Sequence, residues 1–143
     1  MTVLVDTTIW SLALRRRPQD LSEEEQSLVR EWTSLVNSGR VVLIGPIRQE
    51  ILSGIRRESD FLIVQERLSA FGYIEILPED YDQVAAFFNT CRSKGFTGTG
   101  VDLLICAVAW RADVPIFTTD KDFLEYARIL PIRLHKPARH GRR

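Results

Sequence analysis

The stretch VDLLICAVAWRADVPIFTTDKDF, residues 101–123, joins a helical segment, a strand and the start of another helix with little chain between them. Its first half is apolar over helical length and predicts a buried helix, and PIFTT predicts the buried strand that follows. A helix that returns directly into a parallel strand runs antiparallel to that strand. The start of the helix and the end of the strand therefore lie at the same edge of the sheet, and an acid stands at each, Asp102 and Asp120.

The same alternation extends to both sides of this stretch. Four other apolar segments predict strands: VLV at 3–5, VVLIG at 41–45, YIEIL at 73–77 and ILPIRLH at 129–135. Helical segments separate them, which favours crossover connections and a parallel sheet. We predict an α/β fold with one domain over residues 1–134, in which a central parallel sheet of about five strands is flanked by helices on both faces. A basic, flexible tail is predicted over residues 135–143.

Length and composition narrow the class of protein. The chain has 143 residues, of which 45% are hydrophobic, and this suits one domain with a substantial core. The formal net charge is zero, so basic patches are only local, at Arg15 to Arg17, at Arg56 with Arg57, and in the tail. No apolar stretch reaches the roughly 18 to 20 residues of a membrane helix, and the chain starts as a strand without a signal segment. We therefore expect a cytoplasmic protein without membrane contact.

Two more acids extend the pattern seen at Asp102 and Asp120. Asp6 closes the first strand, and Glu50 lies about one turn into the helix after VVLIG. In parallel sheets with helical crossovers, ligands bind in the crevice beyond the strand ends. All four acids are therefore expected to share one pocket.

Such a cluster of carboxylates requires a cation. Two unit charges about 4 Å apart at an effective dielectric near 20 repel by roughly 4 kcal/mol, so several acids cannot all stay ionised alone. Oxygen ligands without His or Cys nearby favour Mg²⁺, with Mn²⁺ as a substitute, over zinc or copper. Such a site suits phosphodiester hydrolysis by a metal-activated water, with either one or two metals.

Each acid also has a purely structural interpretation. Asp6 could cap the helix that follows it, and Asp120 could be a turn residue. Glu50 and Asp102 could favour helix N-termini through the helix dipole. Four acids at one predicted edge make a shared site the better interpretation. Asp122 fits the first turn of the last helix, and we treat it as auxiliary, with a structural role.

At these residues the chain resembles the PIN domain family, and within it the VapC-type toxins of bacterial and archaeal toxin–antitoxin pairs. The matching stretches are LVDTTIW, RQEILSGI, VDLLICAVA and FTTDKDF, which stand in the family's order and extend over nearly the whole chain. The resemblance implies a metal-dependent RNA endonuclease that is usually a homodimer. It also implies a cognate antitoxin protein that inserts a segment into the acidic groove and holds the enzyme inactive.

Residue by residue, the family's acidic quartet matches Asp6, Glu50, Asp102 and Asp120. The resemblance implies that these acids are catalytic and that Asp6 and Asp102 ligate the metal directly. Asp120 and Glu50 then complete the metal shell or orient water.

Two threonines match family positions that usually hold a small polar side chain. Thr7 follows Asp6, and Thr118 precedes Asp120 by two residues. The resemblance implies that their hydroxyls hydrogen-bond the acids or the metal waters. Ordinary helix caps and strand-end hydroxyls are the alternative.

Other functions fit the sequence less well. A phosphatase of the haloacid-dehalogenase type, with Asp6 as nucleophile, would need another Asp where Thr8 stands. A non-catalytic PIN scaffold that binds RNA or a protein partner is the alternative from another class, but such scaffolds usually lose acids. Neither GxGxxG after the first strand nor GxxxxGK[ST] is present. Transfer, ribosomal and messenger RNA all remain possible substrates.

Overall fold

The computed structural model describes residues 1–138, so the last part of the predicted basic tail, residues 139–143, lies outside the described residues. The strands are β1 (Val3–Val5), β2 (Val41–Leu43), β3 (Gly72–Tyr73) and β4 (Ile116–Phe117). The helices are α1 (Thr7–Leu14), α2 (Glu23–Asn37), α3 (Gly45–Ser53), α4 (Glu58–Leu68), α5 (Pro78–Ser93), α6 (Gly100–Ala112) and α7 (Asp122–Ile129), with a 3₁₀ turn at Pro18–Asp20.

The strands form one parallel sheet in the order β3-β2-β1-β4. β1 is central, with Leu4 opposite Val42 on one side and opposite Ile116 on the other. All three side chains of β1 are fully buried, as expected for a strand covered on both faces. The predicted α/β fold with a parallel sheet and helical crossovers is confirmed.

The sheet has four strands within residues 1–138, where about five were predicted. The segment ILPIRLH contributes a single bridge from Leu134 to Ile116, and this bridge lies between Pro131 and Pro137, neither of which has an N–H to donate to a longer ladder. The predicted strand YIEIL is reduced to β3 plus one bond from the N–H of Ile74 to the carbonyl of Leu43, 2.9 Å long. Pro78 starts α5 immediately afterwards, which leaves β3 as a short edge strand.

The core lies between the sheet and the helices. Trp10 is 1% exposed, donates its indole N–H to the carbonyl of Val5 at 3.1 Å and packs edge-on against Trp32 and Phe71. The free cysteines Cys91 and Cys106 are both buried, in agreement with their apolar sequence surroundings. Within the described residues, none of the helices combines the length and the apolar character that crossing a membrane requires.

A buried ion pair joins α5 to α6. The carboxylate of Asp80 is 2% exposed and accepts from Nε and Nη2 of Arg111 at 2.7 and 2.9 Å. It also accepts from the N–H of Leu77 at 2.8 Å, and the same guanidinium donates to the carbonyl of Glu75 at 2.8 Å. The C-terminal end of α6 is therefore fixed to α5 by an ion pair in which Arg111 neutralises the charge of Asp80.

The first residues of the predicted tail lie against the domain. The ring of His135 bonds to the buried carboxylate of Glu31, and the N–H of Ala138 donates to the same carboxylate at 3.3 Å. The His135 ring also packs edge-on against Phe117. Residues 135–138 are thus held to α2 and to the end of β4.

Candidate metal centre

A groove of about 420 Å³ lies beyond the carboxyl ends of β1 and β4. The four predicted acids line it together: Asp6, Glu50, Asp102 and Asp120. Asp6 follows β1 directly, Asp120 lies between β4 and α7, Asp102 is in the first turn of α6, and Glu50 is on α3. Parallel strands explain this convergence, because their carboxyl ends and the first turns of the crossover helices meet at one edge.

Asp6 is the most buried of these acids, at 6% exposure. Its side chain makes no hydrogen bond that caps α1, so capping does not account for it. Instead its Oδ2 accepts from the hydroxyls of Thr118 and Thr8, at 2.7 and 3.0 Å. The two hydroxyls fix one oxygen of the carboxylate.

The two hydroxyls are themselves oriented by the backbone. The N–H of Thr119 donates to the hydroxyl oxygen of Thr8, and the N–H of Asp120 donates to that of Thr118, each at 3.0 Å. The two hydroxyl oxygens also lie 3.3 Å apart, but each already accepts from a backbone N–H and lies within hydrogen-bond distance of Oδ2 of Asp6, so an ionised Asp6 can accept both hydroxyl protons. The loop after β4 therefore sets the orientation of the acid after β1.

Asp102 is held by a second pair of groups. Its N–H donates to the hydroxyl of Thr99, which is the N-cap of α6, at 3.2 Å. Its Oδ2 accepts from the hydroxyl of Tyr126 on α7 at 3.1 Å. Burial raises the pKa of Tyr126, so the tyrosine stays protonated and remains a donor at neutral pH.

Asp102 lies close to two other acids. Asp102, Asp120 and Asp122 each offer a carboxylate oxygen, and these oxygens lie within 4.8 Å of one another. The N–H of Asp122 donates to Oδ1 of Asp120 at 2.9 Å, which brings the start of α7 to this position. Asp6 and Glu50 line the same groove outside this trio, and Glu50 is exposed.

The electrostatics of the groove favour protonation of its buried acids in the absence of a cation. Burial raises the pKa of Asp6, against the opposing effect of the hydrogen bonds from Thr118 and Thr8. Burial also raises the pKa of Asp102, and the negative charges of Asp120 and Asp6 add to that effect. A positive charge at this position would remove the conflict.

Two arginines line this groove, and both have partners: Arg16 forms an ion pair of 3.7 Å with Glu25, which lines the groove as well. Arg15 lines the groove, but its Nη2 donates to the carbonyls of Glu50 and Ile51 at 3.1 and 2.6 Å, near the end of α3. Gly54 makes room for this guanidinium, because a Cβ there would lie 2.8 Å from Nη2. The Arg15 to Arg17 cluster is therefore partly structural, since Arg17 also pairs with Asp20 at 3.0 Å.

Comparison with known proteins agrees with the residues of the groove. A family model described as PIN domain matches residues 3–129, which contain all the acids named above. The chain belongs to the PIN domain family. No match was found among curated protein sequences.

Solved structures of similar fold extend the comparison. A FitAcB structure from Neisseria gonorrhoeae has a TM-score of 0.74 at 19% identity and covers 95% of this chain and 98% of that one. VapBC2 from Rickettsia felis, bound to a promoter DNA fragment, has a TM-score of 0.71 at 16% identity, with 94% and 98% covered. The sarcin–ricin loop cleaving toxin VapC20 from Mycobacterium tuberculosis has a TM-score of 0.66 at 17% identity, with 92% and 99% covered. At these identities the structures share the fold of this PIN domain.

The donor set in the groove of this PIN domain fits a hard divalent cation. The candidate ligands of the trio are carboxylate oxygens, which Mg²⁺ and Mn²⁺ prefer. The hydroxyl of Thr7, which also lines the groove, is buried and has no hydrogen-bond partner among residues 1–138. A buried polar atom without a partner is unusual in a native protein and is consistent with a missing ligand or water.

Sequence reasoning missed three residues of this site. Thr8, two positions after Asp6, hydrogen-bonds the carboxylate of Asp6, whereas the resemblance implied a bond to the acids or to the metal waters for Thr7. Thr99 accepts from the backbone N–H of Asp102, and Tyr126 donates to its carboxylate. The Thr99 cap could have been found from a hydroxyl three positions before an acid at a helix start, whereas Tyr126 sits in an ordinary amphipathic helix.

Proposed function

We propose that this PIN domain is a divalent-metal-dependent RNA endonuclease and acts as the toxin of a toxin–antitoxin pair. The observation that carries the proposal is the convergence of Asp102, Asp120 and Asp122, whose oxygens lie within 4.8 Å of one another beside the buried Asp6. Family membership and the cleaving toxin among its structural neighbours support it.

The residues of the groove divide into two roles in this proposal. Asp6, Asp102 and Asp120, joined by Asp122, would hold Mg²⁺ or Mn²⁺. When bound, the cation supplies positive charge for the phosphodiester and lowers the pKa of water. Glu50 is exposed on α3 and lines the same groove, so it can accept a proton from water or orient it.

The threonine hydroxyls fix the geometry of this arrangement before substrate binds. Thr8 and Thr118 both donate to Oδ2 of Asp6. These two hydrogen bonds hold the carboxylate in one orientation toward a ligand. Fixed ligands need little reorganisation during reaction, which is the main means by which a site of this type accelerates hydrolysis.

The experiment that tests the proposal compares RNA cleavage by wild type, Asp102→Asn and Asp82→Asn in Mg²⁺, in Mn²⁺ and in EDTA. Asp82 is exposed on α5 and serves as the matched control. We expect cleavage by wild type and Asp82→Asn only with metal, and a loss of about 1,000-fold in Asp102→Asn, the size typical for removal of a group that stabilises the transition state. Mapping new 5′-phosphate RNA ends after the protein is induced in cells without antitoxin would identify the RNA that it cleaves.

Two results would contradict the proposal. Equal cleavage by wild type and folded Asp102→Asn would show that a contaminant or another site is responsible. No cleavage and no new RNA ends from folded wild type would favour the non-catalytic PIN scaffold.

The proposed partners follow from the structural neighbours, which include VapBC and FitAB complexes. We propose a cognate antitoxin protein that blocks the groove, a homodimer, and a cytoplasmic location, where RNA substrates are available. A molar mass near twice 16.4 kDa in solution would support the dimer.

A further inference from the structure

Tyr126 on α7 is completely buried and makes two hydrogen bonds, one of them to Asp102, which lines the groove. Its oxygen accepts from the N–H of Thr99 at 3.3 Å, and its proton points to Oδ2 of Asp102 at 3.1 Å. A backbone N–H can only donate and an ionised carboxylate, the form that binds a cation, can only accept, so the direction of both bonds is fixed when Asp102 is ionised. The single hydroxyl proton is therefore committed to Asp102.

The tyrosine ring is held by its surroundings. Phe96 and Phe123 pack edge-on against it, with ring centroids 5.4 and 5.1 Å away. Gly98 lies close to the ring, since a Cβ there would be 3.1 Å from the Cε1 atom of Tyr126 and 3.0 Å from Cδ1 of Leu103. With the ring fixed from these sides, the hydroxyl has a defined position relative to the start of α6.

The contact restricts Asp102 at the end of its side chain, while Thr99 restricts it at the backbone. We propose that Tyr126 is a positioning residue for Asp102, whose carboxylate it orients for a divalent cation shared with Asp120. This inference rests on the proposed metal-dependent function and adds a residue outside the acidic set. It differs from a purely structural role, in which the hydroxyl would only satisfy a buried N–H.

The test measures Mn²⁺ binding from the electron paramagnetic resonance signal of free Mn²⁺, together with RNA cleavage as a function of metal concentration. Tyr126→Phe keeps the ring and removes the hydroxyl. We expect its Mn²⁺ dissociation constant to rise about 10-fold, as for other groups that orient a metal ligand, with a smaller change in the cleavage rate at saturating metal. Tyr81→Phe, at a tyrosine that is 58% exposed on α5, is the matched control and should bind as wild type does.

A second variant separates positioning from stability. Phe96→Leu removes one edge-on ring contact but keeps the tyrosine hydroxyl, so it should lower the unfolding midpoint with little change in Mn²⁺ affinity. Equal affinity in wild type and Tyr126→Phe would overturn the inference, and so would equal weakening in Phe96→Leu and Tyr126→Phe.

The same measurements distinguish this inference from the proposed function. Mn²⁺ binding that weakens in Tyr126→Phe, without RNA cleavage by wild type, would support the positioning role and contradict the nuclease. A wild type that binds no Mn²⁺ would overturn both. Cleavage and binding that are unchanged in Tyr126→Phe, but lost in Asp102→Asn, would overturn the positioning role alone.

Discussion

Buried aspartates lie near both ends of α6, and the charges around them differ. At the far end, Arg111 pairs with Asp80, which is 2% exposed. At the near end, Asp102 stands with Asp120 and Asp122 beside Asp6, which is 6% exposed. The first carboxylate has its counter-charge within the chain, whereas the acids of the groove have hydroxyl donors and other acids around them.

The difference shows in the opposite directions in which the pKa values of the two buried acids are shifted. Hydrogen bonds from Arg111 lower the pKa of Asp80, while burial raises the pKa of Asp6. Because Asp80 and Arg111 neutralise each other, the α5–α6 contact needs no charge from outside the chain. Asp6 and Asp102 have no such ion pair among residues 1–138, and a cation from outside would supply the opposite charge.

The largest expected effect is on stability at the paired end. Asp80→Asn keeps the shape of the side chain but removes the charge that Arg111 and the N–H of Leu77 bind. We expect a loss of about 2 to 3 kcal/mol in the free energy of unfolding, less than the roughly 3 to 5 for a fully buried pair. The reason is that the Arg111 side chain is 31% exposed.

Urea denaturation measures this loss, and Asp82→Asn on the same helix is the control, expected within about 0.5 kcal/mol of wild type. RNA cleavage per folded molecule should stay at the wild-type level in both variants. Equal stability of Asp80→Asn and Asp82→Asn would mean that the ion pair contributes nothing and that the two ends of α6 do not differ as described.

The second effect is the response to metal at the groove end. Mg²⁺ at ten times its dissociation constant should add about 1.4 kcal/mol to the stability of wild type, because it binds only the folded chain. Asp102→Asn should lose most of this gain, and Asp80→Asn should keep all of it from a lower starting point. Thermal unfolding with and without Mg²⁺ measures both, and equal gains in all three proteins would place the cation elsewhere.

The same comparison explains which features of this chain the sequence could predict. Asp6 and Asp120 end apolar strands, and the parallel connection dictates that such ends meet, so their shared groove follows from topology alone. The Asp80–Arg111 pair and the contact of Tyr126 with Asp102 join residues 31 and 24 positions apart on different helices. Such pairs depend on how each helix is rotated about its axis. The apolar pattern defines that rotation too coarsely to predict individual side-chain contacts.

Two other differences have local causes. The hydroxyl of Thr8, and not that of Thr7, reaches Asp6, because the direction of a side chain in the first turn depends on where α1 begins. The predicted fifth strand is reduced to one bridge at Leu134, which lies between two residues without an N–H, Pro131 and Pro137. In the first case the helix was predicted correctly, and in the second the predicted strand does not form beyond one bridge.

The smallest effect is the pH dependence of the metal-free protein, and here the two ends should have opposite signs. The pKa of Asp80 is lowered from 3.8, so its stabilising contribution is present above that value and is lost as the pH falls through the folded-state pKa. The pKa of Asp6 is raised from 3.8, so its protonated form favours folding below that value, and stability is lost as the pH rises through the folded-state pKa. Unfolding free energies of wild type, Asp6→Asn and Asp80→Asn between about pH 3 and 7 in EDTA separate the two contributions.

Relative to wild type, Asp6→Asn should gain stability as the pH rises and Asp80→Asn should lose it. Parallel curves would mean that Asp6 is already compensated within the chain, and then the groove would not need a cation to hold its charge.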